Sequence, residues 1–141
     1  AGYLPLWVGL SEKEQIKGTF VALPRFQQAY GLSVTDQDYG KKNKQWDYPN
    51  AWPPLTFWVE EVLRANGFIL EAHQVLRQYL DAMTALYEKT GSLWEKYNAV
   101  TGGLDTVGGP GYKSVPMLGW SAAAFTDFYE LAQNWELANS E

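Results

Sequence analysis

The sequence predicts an all-α fold, and three observations carry that prediction. Three long stretches place apolar residues at helical spacing. Proline, Asn-Gly and Gly punctuate them where helices start and stop. No pair of alternating runs reads as a strand hairpin. Antiparallel helices with long loops at one end suit an α-solenoid or a closed helical toroid.

The elements follow in order. Ser11-Glu12-Lys13-Glu14 reads as a capping box opening a helix that reaches about Val21, with Pro24 ending or kinking it. Residues 30–54 are rich in Gly, Asp, Asn and Pro and read as irregular. A second helix starts at Pro53-Pro54, with Leu55, Trp58, Val59, Val62 and Leu63 as its stripe, and stops at Asn66-Gly67. A third spans about Phe68 to Glu88, with Ile69, Ala72, Leu76, Leu80, Met83 and Tyr87 on its apolar face. Lys89-Thr90-Gly91 closes it. Residues 91–117 form a long, glycine-rich loop, a length that points to function. The last helix runs from about Gly119 to Ala138, with Ala124, Phe128, Leu131 and Trp135 in line.

Composition narrows the function. Sixteen acidic residues face eleven basic ones, for a net charge of −5. That argues against nucleic acid and against an anionic membrane surface. The one basic cluster, Lys41-Lys42-Asn43-Lys44, reads as a solvated turn. No apolar run reaches the roughly 20 residues that span a bilayer. There is no cysteine and a single histidine, His73, so a thiolate or His-based metal site and a Ser-His-Asp triad are disfavoured. No cofactor is expected. Seven Trp, nine Tyr and six Phe exceed what a small helical core needs and point to a lined pocket or an interface.

The run Gln45-Trp46-Asp47-Tyr48-Pro49-Asn50-Ala51-Trp52-Pro53-Pro54 is the most informative. Its prolines fix the backbone into a stiff loop. Its rings offer flat faces and its amides and carboxylate offer hydrogen-bonding tips, the pairing a sugar requires. Gln45, Trp46, Asp47, Asn50 and Trp52 are therefore candidate substrate-binding residues, with Asp47 suited to bracing the loop or binding hydroxyls rather than to catalysis. Trp120, in Gly119-Trp120-Ser121, joins them.

Among the carboxylates, Glu95 stands out because Trp94 and Tyr97 flank it just before the glycine-rich loop. An aromatic setting would desolvate it and suit it to general-base use. The bland alternative is a surface carboxylate on a short helix. Lys96 is adjacent in sequence and is expected to point elsewhere. Asp105 reads as a turn residue, Glu60 and Glu61 as capping or solvent-facing, and His73 as facing solvent or a neighbouring helix with no assigned role. A phosphate cradle in Gly102–Gly111 fails: no Gly-Lys-Ser/Thr ending follows, no strand precedes, and Pro110 removes a donor.

These motifs resemble, in order, those of the trehalases, inverting glycosidases that split trehalose into two glucoses. The chain is similar to them in Gln45–Pro54, which fits Gln-Trp-Asp-x-Pro-x-x-Trp-x-Pro, in Glu95-Lys96-Tyr97, in Gly102–Gly111, and in Gly119-Trp120-Ser121. Leu4-Pro5-Leu6-Trp7-Val8-Gly9 resembles the segment upstream of the signature. The resemblance implies an (α/α)6 toroid far larger than this chain, so residues 1–141 would be its C-terminal portion and not a complete domain. It matches Glu95 to the family's catalytic base and Trp46 to a pocket-lining aromatic. The family's catalytic acid is an Asp upstream of this region, and no residue here matches it. The acid is expected on another segment or partner chain, with a disaccharide as substrate. Two departures bear on specificity. Tyr112-Lys113 follows the glycine run where trehalases carry a substrate-contacting Glu. Met117-Leu118-Gly119-Trp120-Ser121-Ala122-Ala123 replaces Gly-Phe-Gly-Trp-Thr-Asn-Gly. They leave open a related α-glycosidase acting on an α-glucoside or mannosylglycerate, a non-catalytic sugar-binding remnant, or a helical interaction module.

Overall fold

The computed structural model describes residues 2–40, 44–109, 112–117 and 119–139. Lys41, Lys42, Asn43, Pro110, Gly111 and Leu118, on which some sequence readings fall, lie outside the described residues. The chain is all-α. Its elements are α1 (Leu4–Trp7), α2 (Lys13–Ala22), a 3-10 turn (Leu23–Arg25), β1 (Gln27–Gln28), β2 (Gly31–Leu32), β3 (Asn50–Ala51), α3 (Pro53–Ala65), α4 (Ile69–Thr90), β4 (Tyr97–Asn98) and α5 (Trp120–Ala138).

The start of α2 differs from expectation. Glu12, not Ser11, is the N-cap, and its amide donates to the Gln15 side chain at 2.9 Å. Glu14 instead pairs with Lys17 along the helix. As expected, α2 ends just before Pro24, and the proline sits in the first turn of the 3-10 segment that follows, where it is tolerated.

α3 and α4 form the helical hairpin at the centre. Pro53 and Pro54 open α3, where missing amides cost nothing. Asn66 caps it, returning its side-chain amide to the Val62 carbonyl at 2.7 Å, and Gly67 takes the left-handed turn at φ 82°. Gly91, at φ 72°, ends α4 in the same way. α5 packs on both helices. Ala72, Leu76, Leu80 and Met83 of α4 are buried as expected, but Ile69 and Tyr87 are exposed. The buried face turns instead through Val75, Tyr79, Ala82 and Leu86.

The core has two lobes. One joins α4 and α5 to residues around β3 and β4, with Tyr79, Tyr97 and Phe128 at its centre. The Phe128 ring meets Tyr79 edge-on at 5.5 Å. The other joins α2, the 3-10 turn, β2 and α3, with Phe20 against Phe68 at 4.2 Å.

Two short antiparallel pairs were not legible as strands. β1 pairs with β2, and β3 pairs with β4 through Asn50 opposite Asn98 and Ala51 opposite Tyr97. The second pair joins the proline-rich loop to the segment carrying Glu95.

Candidate active site

The site is built from three backbone segments that meet. β3 and β4 hold the first two together. The third, residues 112–117, lies against residues 93–96: the Glu95 amide donates to Val115 O at 2.8 Å and the Met117 amide to Leu93 O at 2.9 Å. The Ser114 hydroxyl donates to Lys96 O at 2.6 Å. Ser121, at the start of α5, donates to Trp94 O at 2.7 Å, and Tyr79 of α4 donates to Ser121 O at 2.9 Å. Every carbonyl and amide so used is a strut that fixes where Glu95 stands.

Glu95 lies on this extended, bent segment and not on a short helix. It is buried, with 6% of its surface exposed. Lys96 does not point elsewhere. The bend at residue 95 brings the neighbouring side chains to one side, and Lys96 Nζ donates to Glu95 Oε2 at 3.2 Å. Lys96 is itself completely buried. Its ammonium lies 4.2 Å from the centre of the Tyr112 ring and 5.2 Å from that of Trp52, both cation–π distances. The Tyr112 hydroxyl donates to Glu95 Oε1 at 3.3 Å, and Trp120 Nε1 donates to Glu95 O at 3.4 Å. Burial, with the carboxylate charge beside it, raises the Tyr112 phenol above its ordinary value.

The aromatic loop arrives beside this carboxylate. Trp46 stacks on Trp52 at 3.9 Å and 13°. Trp52 is fully buried and meets Trp120 edge-on at 5.9 Å, whereas Trp46 is 43% exposed. A rigid ring thus backs an exposed one. Asp47 accepts the Lys44 amide at 2.7 Å and its own amide returns to Lys44 O, so it braces the turn. Asn50 is buried. Its Nδ2 donates to Gln45 O at 2.9 Å and Val107 O at 2.6 Å, and its Oδ1 accepts the Val107 amide at 2.9 Å. Trp52 Nε1 donates to Gln45 O at 2.8 Å. The Gln45 side-chain oxygen is buried and, among the described residues, accepts no hydrogen bond. The structure therefore brings Gln45, Trp46, Trp52, Glu95 and Trp120 together, with Asp47 turned to the main chain of Lys44 and Asn50 to the main chain of Gln45 and Val107. Sequence reasoning missed Lys96 and Tyr112; the signals were the place of Lys96 inside the Glu95-Lys96-Tyr97 motif and the departure from the family pattern at Tyr112.

The remaining candidates sit elsewhere. Asp105 is a turn residue, taking the Asn98 side-chain amide at 2.9 Å and the Thr101 hydroxyl at 2.6 Å. Glu60 neither caps nor faces solvent. It is fully buried in α3 and pairs with Arg64 at 2.9 Å. Glu61 accepts from Trp7 Nε1. His73 stacks on Trp135 of α5 at 4.6 Å. A cavity of about 520 Å³ lies between α2, β2 and α3, lined by Tyr3, Leu23, Phe26, Leu32 and Val59 among others. It contains no carboxylate, so the chemistry does not belong to it. No group of side chains among the described residues could hold a metal ion, and no helix there is long and apolar enough to cross a membrane.

A helical hairpin thus presents a buried carboxylate beside stacked indoles on an all-α frame. The family model described as Trehalase matches residues 1–133. The chain is 32% identical over 122 residues to the periplasmic trehalase of Pseudomonas aeruginosa, covering 86% of this chain and 22% of that protein. It is 35% identical over 105 residues to the cytosolic neutral trehalase of Saccharomyces cerevisiae, covering 69% of this chain and 14% of that one. Its structure resembles neutral trehalase Nth1 from Saccharomyces cerevisiae with a TM-score of 0.71 at 25% identity, over 91% of this chain and 22% of the other. The chain belongs to the trehalase family and spans a small part of the length of these relatives.

Proposed function

We propose that this chain supplies the general base and part of the sugar-binding surface of an inverting glycoside hydrolase that cleaves trehalose to glucose. It is the C-terminal portion of a helical toroid, and the remaining segment or partner chain carries the catalytic acid. The observation that supports this best is Glu95: a buried carboxylate, fixed by its own backbone, flanked by Trp120 and Tyr112 and paired with a lysine that lies over Trp52, in a trehalase-family chain.

In this reading Glu95 takes a proton from water as the water oxygen attacks the anomeric carbon. The acid opposite, about 6.5–9.5 Å away in such enzymes, protonates the departing oxygen. Trp46 offers its exposed ring to a sugar face, backed by Trp52. Gln45 carries a buried Oε1 that accepts no hydrogen bond among the described residues, and it meets a sugar hydroxyl once its side chain turns outward. Asp47 and Asn50 act by holding the loop, and Trp120 by closing the wall behind Glu95.

In the complete enzyme, Glu95→Gln is expected to lower kcat by about 10²–10⁴-fold with sugar affinity nearly unchanged. Near-normal turnover would remove the assignment. A second reading, a related α-glycoside as substrate, is favoured by Tyr112 standing where trehalases carry a Glu. A panel of α-glucosides and mannosylglycerate beside trehalose separates the two.

A further inference from the structure

A buried lysine is costly to a fold unless its charge is used, because desolvation disfavours the ammonium. Lys96 is buried completely, at the heart of the site. Among the described residues its Nζ has one hydrogen-bond acceptor, Glu95 Oε2 at 3.2 Å. Its other close neighbours are the rings of Tyr112 and Trp52. Those rings stabilise the cation without competing for its directional bond. Glu95 Oε1 is held differently. Among the described residues it meets only the Tyr112 hydroxyl, at the longer distance of 3.3 Å, on a residue that is 42% exposed. The two oxygens of one carboxylate are therefore unequal.

We propose that Lys96 is the positioning residue of the general base: its ammonium anchors Oε2 and so leaves Oε1 as the oxygen that receives the proton. This rests on the reading of Glu95 as base. The water proton passes to Oε1 while the water oxygen bonds to the anomeric carbon. The bond from that carbon to the departing oxygen breaks, and the acid opposite protonates that oxygen. Lys96 gives up no proton. When Oε1 becomes protonated the ammonium loses its counter-charge, and the faces of Tyr112 and Trp52 keep it tolerable in place. The Tyr112 hydroxyl turns its proton away from Oε1 as the water engages that oxygen, while its ring stays against the Lys96 ammonium.

The test uses the complete enzyme and three variants, Glu95→Gln, Lys96→Met and Lys96→Arg, with kcat and KM for trehalose and a thermal melt for each. Met keeps the stem and removes the charge. It is expected to lower kcat about 100-fold with KM within threefold of the parent, and Arg to recover at least tenfold over Met. Lys96→Met with kcat within threefold of the parent overturns the proposal, as does equal loss with Arg and Met. Should Lys96→Met not fold, enzyme labelled with ¹⁵N-lysine decides. An ammonium resonance protected from exchange in the parent, and lost or displaced in Glu95→Gln, supports the pairing; an unchanged spectrum overturns it. An active Glu95→Gln sinks the base reading itself, whereas an inactive one beside a normal Lys96→Met sinks only the role of Lys96.

Discussion

Asn50→Ala is the perturbation that most directly probes how the aromatic loop is held. Among the described residues, the Asn50 side chain makes three hydrogen bonds to main-chain groups and none to another side chain. Removing it does not affect all three recipients alike. Gln45 O keeps the Trp52 indole donor at 2.8 Å. Val107 loses both the partner of its amide and the partner of its carbonyl. Each buried group left unpaired costs about 1–3 kcal/mol. Val107 is half-buried, so water restores part of the loss, and about 2–4 kcal/mol is the expected destabilisation. Asn50→Asp should be at least as damaging near neutral pH, because a carboxylate oxygen would then face the Val107 and Gln45 carbonyls. Urea unfolding followed by tryptophan fluorescence gives the magnitude, and hydrogen exchange at the Val107 amide gives the place. A change below about 0.5 kcal/mol with unaltered exchange at Val107 would refute the account, since that is the range of surface substitutions without structural role.

Two further perturbations test the frame. Gly31 has φ 140°, and a Cβ there would lie 2.5 Å from the Tyr97 hydroxyl oxygen, which donates to Tyr30 O. Gly31→Ala should therefore lower stability by about 2–4 kcal/mol, and adding Tyr97→Phe should recover part of it; strictly additive losses in thermal melts would count against the clash. Burial raises the Glu60 carboxyl above its usual range, more than Arg64 lowers it. A group raised in the folded state contributes its stability below the ordinary Glu value and loses it as pH climbs through the folded one. Melts from pH 4 to 7 should thus show Glu60→Gln gaining on the parent as pH rises, and a gap independent of pH would exclude Glu60 as the cause.

The helices were legible because their signals are local. Pro53-Pro54, the stripe through Val59, Val62 and Leu63, and the glycines at 67 and 91 each act within a turn or two of their own position. The site was legible in part, through the density of Trp and amides in 45–54. What escaped was decided by segments far apart in the chain. Residues 50 and 98 pair only because the hairpin between them folds, and a two-residue strand leaves no alternation to read. Lys96 was expected to point away from Glu95 because adjacent residues in a regular element do not face each other, a rule that the bend at Glu95 suspends. Glu60 looked like a capping or solvent-facing acid because its burial depends on α4 and α5 closing against α3. At Ser11 the local pattern itself misled, with Glu12 and Gln15 one residue on making the cap instead.

The β3–β4 pair has a consequence for the order in which the chain folds. β3 immediately precedes α3, and β4 follows soon after α4. Alone, closing a loop from residue 50 to residue 98 carries an entropic penalty that two residues of ladder could hardly offset. Once the two helices zip along their shared face, most of that loop is already ordered and the remaining closure is short. The helical hairpin is thus a splint, and Glu95 reaches its station only after the splint has set. A lesion in the Asn66-Gly67 turn, remote in sequence from Glu95, would delay the arrival of the carboxylate at its station on refolding.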